Sequence, residues 1–240
     1  MDAHITAKGL LMAFGADLER AYPAKALFVG QKERLDMLFE RLSEVRPIVS
    51  FLGVELYEAK APAGDLIVGL SGIFAPQAAL ALEMAFALGV KRVIRVGSCG
   101  TLDEHVSIGD VILATGAISK EGTSEAYLPK EVPYVACPKL LADAESALGQ
   151  KGLGLKVGLV CSLDAFLKET PEFVAQMQAL NVVGVDMVTS VFFALSHVFH
   201  AHSAAALVVS DNLATHEIGF FSEPFQKAEA KCLEAVLEFL

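Results

Sequence analysis

An arginine stands inside an apolar run at Val93-Ile94-Arg95-Val96, and the run ends in Gly97-Ser98-Cys99-Gly100. Buried strands rarely carry an unpaired guanidinium, because stripping it of water costs several kcal/mol. At the end of a strand, however, the side chain reaches past the sheet into a pocket. Gly97 and Gly100 let the backbone turn tightly and approach a ligand closely, and Ser98 offers a hydroxyl and an N–H. Arginine, serine and exposed backbone N–H groups together suit phosphate. The competing reading of the same residues is a structural arginine paired with an internal carboxylate.

The elements that must position this cluster are legible as short apolar runs alternating with longer helical patterns. Strands are predicted at 26–30, 65–70, 93–97, 110–118, 156–162, 182–187 and 204–211. Helices are predicted at 33–42, 76–89, about 138–150, 171–180, 188–199 and 227–240. Near-continuous apolar strands separated by helices indicate an α/β protein whose sheet is covered on both faces. No fixed-period repeat or low-complexity linker divides the chain, so residues 1–240 read as one domain. The expected architecture is a three-layer α/β/α domain around a central mixed, mostly parallel sheet. Ligands of such sheets collect beyond the carboxyl ends of the strands. Gly30, Gly97-Ser98, Ser162, Asp186-Met187 and Ser210-Asp211 all fall at predicted strand ends.

Composition narrows the function classes. Hydrophobic residues make up 54% and charged residues 20%, enough to fill a thick core. A formal charge of -10 argues against a nucleic-acid partner but leaves room for one anion in a local basic pocket. The arginines are Arg20, Arg34, Arg41, Arg46, Arg92 and Arg95, and none follows Arg95. An arginine-based anion site therefore comes from the first part of the chain or from a neighbouring subunit. Cys99, Cys137, Cys161 and Cys232 form no C-x-x-C pair, as expected of reduced thiols in a cytoplasmic protein. The opening MDAHITAKG lacks the basic and apolar segments of a signal peptide. Residues 190–210 contain no Asp, Glu, Lys or Arg, but three histidines and several serines interrupt them. They read as a buried helix, a turn and a buried strand rather than a membrane span. His197, His200 and His202 have no nearby Cys or carboxylate to complete a metal shell, so no metal is expected.

Several motifs, in order, carry a resemblance: DAHITA, VGQKER, VIRVGSCGTL with IGDVILATGA, YLPKEVPYVACPKLL, SLDAF, NVVGVDM and VVSDNLATHE. Together they resemble the nucleoside phosphorylase family, in the trimeric or hexameric branch that holds bacterial purine nucleoside phosphorylase and uridine phosphorylase. The resemblance implies phosphate held by Gly30, Arg34, Arg95 and Ser98. It implies Phe166 stacked on the base, Met187 against the ribose, and His4 donated by a neighbouring subunit to the sugar's 5′ end. Asp186 is counted with the nucleoside-binding residues as a partial replacement for the family's ribose glutamate, although its side chain would normally point to the opposite side of the strand. Asp211 would be the general acid at the base. It implies a homo-oligomer, trimer or hexamer, with shared active sites, and inorganic phosphate as co-substrate with no other cofactor. The chemistry suits these roles. Breaking a ribosyl C–N bond builds positive charge on the sugar and negative charge on the base, which an anion and a proton donor relieve. A protonated Asp needs a desolvated setting, and AAALVVSD provides one. Ser-Asp-Asn is also ordinary turn chemistry.

The chain departs from the family's pattern inside the site. Where the family reads Val-Glu-Met-Glu, this chain reads Val185-Asp186-Met187-Val188. A charged hydrogen bond to the ribose hydroxyls, worth about 1.5–3 kcal/mol, is lost. The family's aspartate after the glycine is Gln31. The neighbour's phosphate arginine has Arg46 as its nearest candidate. An arginine partnering the catalytic Asp is missing from residues 212–240, where Lys227 could stand in only if the loop folds back. Phe74 and Gln77 stand where small residues are usual. The Gln-x-Arg that uridine-specific members use is absent from LKETPEF, which tilts the base toward purine. Three functions are compatible with this pattern: a phosphorylase, a nucleosidase using water, and a non-catalytic nucleoside- or phosphate-binding homologue.

Overall fold

The computed structural model describes residues 5–240, which leaves His4 outside the described residues. Strand β1 (Lys25–Val29) shows how the core is divided. Successive side chains of a strand point to opposite faces. Ala26 and Phe28 enter one hydrophobic cluster, and Leu27 and Val29 enter the other. The neighbours β4 (Gly64–Leu70) and β5 (Arg92–Thr101) repeat the division. Ile67 and Val93 join the first face, and Leu66, Val68, Ile94 and Val96 the second. Helices α1 (Ala7–Ala13), α3 (Ala75–Ala87) and α6 (Thr189–Val198) cover the first face. Helices α2 (Lys32–Phe39), α4 (Pro138–Gln150) and α7 (Glu223–Phe239) cover the second. The three layers expected from the apolar runs are therefore present.

The sheet is mixed. Strands β4, β1, β5 and β10 (His202–Asn212) run parallel, as do β6 (Val111–Lys120), β8 (Leu155–Leu163) and β9 (Val182–Asp186). Antiparallel pairings of β10 with β6 and of β9 with β5 join the two groups. Five strands thus close on one another in the order β5, β10, β6, β8, β9. A two-residue strand β7 (Tyr134–Val135) flanks β6, and β11 (Glu217–Ile218) flanks β10. Helix α5 (Pro171–Ala179) packs Met177 against Val182 and Val185 of β9.

The antiparallel margin was not anticipated from the apolar pattern. β2 (Ser43–Phe51) and β3 (Val54–Ala61) form a hairpin beyond β4. Leu52 and Gly53 turn it, with φ of 48° and 77°. Two positive φ values in a two-residue loop match the right-handed twist of the flanking strands. Residues 190–210 fold as the end of α6, a turn with His200 at φ 53°, and β10, as predicted. No described helix is long and apolar enough to cross a membrane.

Candidate active site at the carboxyl ends of β5, β9 and β10

Arg95 lies mid-sheet, paired in register with Phe28 of β1 and Ala205 of β10. Its neighbour on the same face of the strand is Gly97. A Cβ at Gly97 would lie 2.1 Å from Arg95 Nη1 and 2.6 Å from Cζ. The guanidinium therefore occupies the volume that a side chain at 97 would fill. Asp186, the last residue of β9, places Oδ2 3.2 Å from Arg95 Nη1, and both side chains are almost fully buried. The internal carboxylate named as the competing reading is thus present. It leaves Arg95 Nε and Nη1 without a hydrogen-bond acceptor among the described residues. Buried donors are nearly always bonded, so Nε stands out as a donor without a partner, whereas Nη1 lies beside Asp186 without an aligned hydrogen bond.

Asp186 is itself tightly held. Ser162 Oγ donates to it at 2.6 Å and Thr189 Oγ1 at 2.8 Å. The backbone N–H groups of Val188 and Thr189 donate at 3.2 and 3.0 Å. The carboxylate therefore sits at the N-terminus of α6, where the helix dipole favours negative charge. Asp186 was expected at the nucleoside. It lines the cavity, but both oxygens are engaged within the protein, and its place is that of counterion to Arg95. Val188 is fully buried in the core between sheet and helices.

Arg34 follows Gly30-Gln31 in the first turn of α2. Its Nε donates to Glu229 Oε1 of α7 at 2.5 Å, and Nη2 touches the same oxygen. Gly30 is constrained from behind, since a Cβ there would come 3.0 Å from the Gly72 carbonyl oxygen. Over that turn, Gln77 Nε2 donates to the Gly53 carbonyl at 2.9 Å. This gives the unexpected glutamine a packing role.

One cavity of about 240 Å³ gathers Gly30, Arg34, Arg95, Ser98, Phe166, Asp186, Met187 and Asp211. These are the residues singled out in the sequence, apart from His4. β11 pairs Ile218 with Asp211, and Phe220, two residues on, lines the same cavity. The Phe220 and Phe166 rings meet edge to face at 6.4 Å. Ser210 Oγ donates to Asp211 Oδ1 at 2.7 Å. Burial pushes the Asp211 carboxyl up, and the Ser210 hydroxyl pulls back against it. A Cβ at Gly100 would lie 2.8 Å from Asp211 Oδ2, so this glycine admits the carboxyl. Glu169 lines the same cavity, and burial, reinforced by the charge of Asp211, pushes its carboxyl to about 7. Cys99 also lines the cavity, but burial drives its thiol well above the ordinary range, so it is no thiolate nucleophile.

Glu169, Phe220 and Glu229 were not recognised from the sequence. Glu169 is three residues beyond Phe166, and that spacing was the only available signal. Lys227 does not reach Asp211: it pairs with Glu223 at 2.5 Å on the exposed side of α7. Arg46 is exposed on β2, 3.4 Å from Glu44. A larger, more open groove of about 860 Å³ adjoins the cavity through Glu169. Two of its polar side chains already pair internally, Lys156 with Asp103 at 2.7 Å and Gln178 with the Leu102 carbonyl at 2.9 Å. Among the described residues no three His, Cys, Asp or Glu side chains cluster as metal ligands.

Comparison with known proteins places this geometry. The family model for the phosphorylase superfamily matches residues 25–240. A guanosine phosphorylase of Halorubrum lacusprofundi is 29% identical over 188 residues, 78% of each chain. A DeoD-type purine nucleoside phosphorylase of Clostridium novyi is 29% identical over 219 residues, 90% of each chain. The crystal structure of a uridine phosphorylase from Vibrio fischeri superposes with a TM-score of 0.86. It has 22% identity and covers 100% of this chain and 99% of its own, a likeness of fold.

Proposed function

The chain belongs to the phosphorylase superfamily, and from that premise we propose that it splits the C–N bond of a purine nucleoside with inorganic phosphate. The products are free base and sugar 1-phosphate. One observation carries the reading: a single cavity is lined by Arg34, Arg95 and Ser98 together with the half-buried Asp211 carboxyl, Phe166 and Phe220. Phosphate held by the arginines attacks the sugar carbon as the glycosidic bond breaks. Asp211 gives its proton to the departing purine nitrogen, so neither charge builds up unrelieved. Burial that keeps Asp211 protonated longer than an ordinary carboxyl supports the role. Phe166 supplies a stacking face for the base and Met187 an apolar wall for the sugar. The purine preference is supported by two relatives named for purine substrates and by the absence of Gln-x-Arg after Phe166. Phosphate is a co-substrate, and the chain's own side chains supply the acid. The resemblance also supports a homo-oligomer in which His4 completes a neighbour's site.

One observation favours a second reading, hydrolysis by water. Both arginines already face carboxylates, Asp186 and Glu229, which weakens their pull on an anion. Turnover of a nucleoside panel with and without inorganic phosphate separates the readings. Release of base that requires phosphate supports phosphorolysis. Equal release without phosphate supports the nucleosidase. Thermal stabilisation by nucleoside with no release marks a binding homologue.

A further inference from the structure

Helix α7 carries an anomaly. Its buried face is formed by Phe225, Ala228, Cys232, Leu233 and Val236, and Glu229 stands among them at 8% exposure. A buried carboxylate on an apolar helix face is costly unless paired. Its partner is Arg34, 195 residues earlier in the chain and 2% exposed. Glu229 Oε1 accepts a hydrogen bond from Nε and lies in ion-pair contact with Nη2, which makes no aligned hydrogen bond among the described residues. Nη1 is the one nitrogen of Arg34 that Glu229 does not engage, and Arg34 lines the cavity while Glu229 does not.

We propose that Glu229 is a positioning residue for the oxyanion site: it grips one edge of the Arg34 guanidinium from behind and presents the remaining nitrogen to phosphate. The inference rests on the reading of this cavity as a phosphate site. An arginine side chain has many rotamers, and holding it in one removes an entropic cost from ligand binding. Arg95 is handled by the same device, with Asp186 as the brace and Gly97 as the space it fills. The two braces differ in origin. Asp186 belongs to the sheet that carries the site, whereas Glu229 comes from a helix that contributes no residue to the cavity lining.

Two conservative variants separate position from charge. Glu229→Asp keeps the charge and draws the carboxylate back by one methylene, roughly 1.5 Å. Glu229→Gln keeps the length and an acceptor oxygen but removes the charge. If position is what matters, Glu229→Asp raises the KM for phosphate at least about tenfold while the nucleoside KM and kcat at saturating phosphate stay near wild type. Glu229→Gln, which keeps the grip and removes the opposing charge, then has a phosphate KM no more than about twofold above wild type. A phosphate KM unchanged in Glu229→Asp overturns the proposal, as does Glu229→Gln being impaired as strongly as Glu229→Asp. Equal rises in both substrates' KM mark a merely structural role and also overturn it. If the wild-type protein shows no phosphate-dependent turnover, phosphorolysis falls by itself. The stabilisation of the melting temperature by inorganic phosphate then tests Glu229 separately. A wild-type shift that is lost in Glu229→Asp and kept in Glu229→Gln supports the inference, and no shift in the wild type overturns it.

Discussion

Replacing Gly97 with alanine adds one methyl group, and the structure puts that methyl inside Arg95. The new carbon would lie 2.1 Å from Nη1, 2.6 Å from Cζ and 2.8 Å from Nη2. Arginine tips usually yield cheaply, but this one is enclosed. It is 4% exposed, and its counterion Asp186 is held by Ser162, Thr189 and two backbone N–H groups. Accommodation means either overpacking, typically about 1–3 kcal/mol, or breaking a buried ion pair, about 3–5 kcal/mol. An approach as close as 2.1 Å puts the expectation in the upper part of the overpacking range, a loss of roughly 2–3 kcal/mol. For a chain of this size each kcal/mol lowers the melting temperature by about 2–4 °C, so Gly97→Ala should melt roughly 4–12 °C below wild type. Displacing the guanidinium should also raise the phosphate KM at least about tenfold, equivalent to 1.4 kcal/mol. Differential scanning calorimetry and initial rates across a phosphate series measure both. A melting point within about 2 °C of wild type, with phosphate KM unchanged, would refute the claim that position 97 is empty to house Arg95.

Asp211→Asn should slow purine release at least about tenfold while leaving phosphate binding intact, as expected for loss of a general acid. Single-turnover release of base is the measurement, and an unaltered rate removes Asp211 from the mechanism. Glu169 titrates near 7 in the fold against an ordinary 4.5, so the unfolded chain gives up this proton first as pH rises. The native state then binds more protons than the unfolded one between those values, and stability falls as pH climbs from 4.5 toward 7. Glu169→Gln should flatten that stretch of the stability curve, and denaturant titrations giving identical slopes would count against a buried, proton-retaining Glu169.

The inner framework was readable because a strand covered on both faces leaves a continuous apolar run. Helix α4 was predicted within its observed limits, and β1, β4, β8 and β10 within two residues at each end. The hairpin of β2 and β3 left no such run. β2 buries only Ile48 and Val49, just after Pro47, and β3 spaces its buried Val54, Leu56 and Ala59 among partly exposed residues. The cavity residues were legible for a related reason: they close apolar runs. β5 itself continues to Thr101, and the parallel β1 and β10, with the antiparallel end pairing of β9, bring these residues to one place. What could not be read was the counterion of each arginine. Glu229 looks like any charge on an amphipathic helix until α7 docks on α2. Asp186 looks like a residue facing away from its strand until its carboxylate turns onto α6. Burial of an acid is decided by what packs over it, and that information is tertiary.

The 195-residue span between Arg34 and Glu229 also bears on how the molecule is made. As the chain leaves the ribosome, β1, α2 and β5 can form early, yet each guanidinium then faces an apolar interior with no partner. Asp186 arrives only with β9, and Glu229 only with the last helix. The amino-terminal half is therefore electrostatically incomplete until synthesis is almost over. A chain truncated before α7 would lose more than a covering helix, because it would strand a positive charge within the body of the protein.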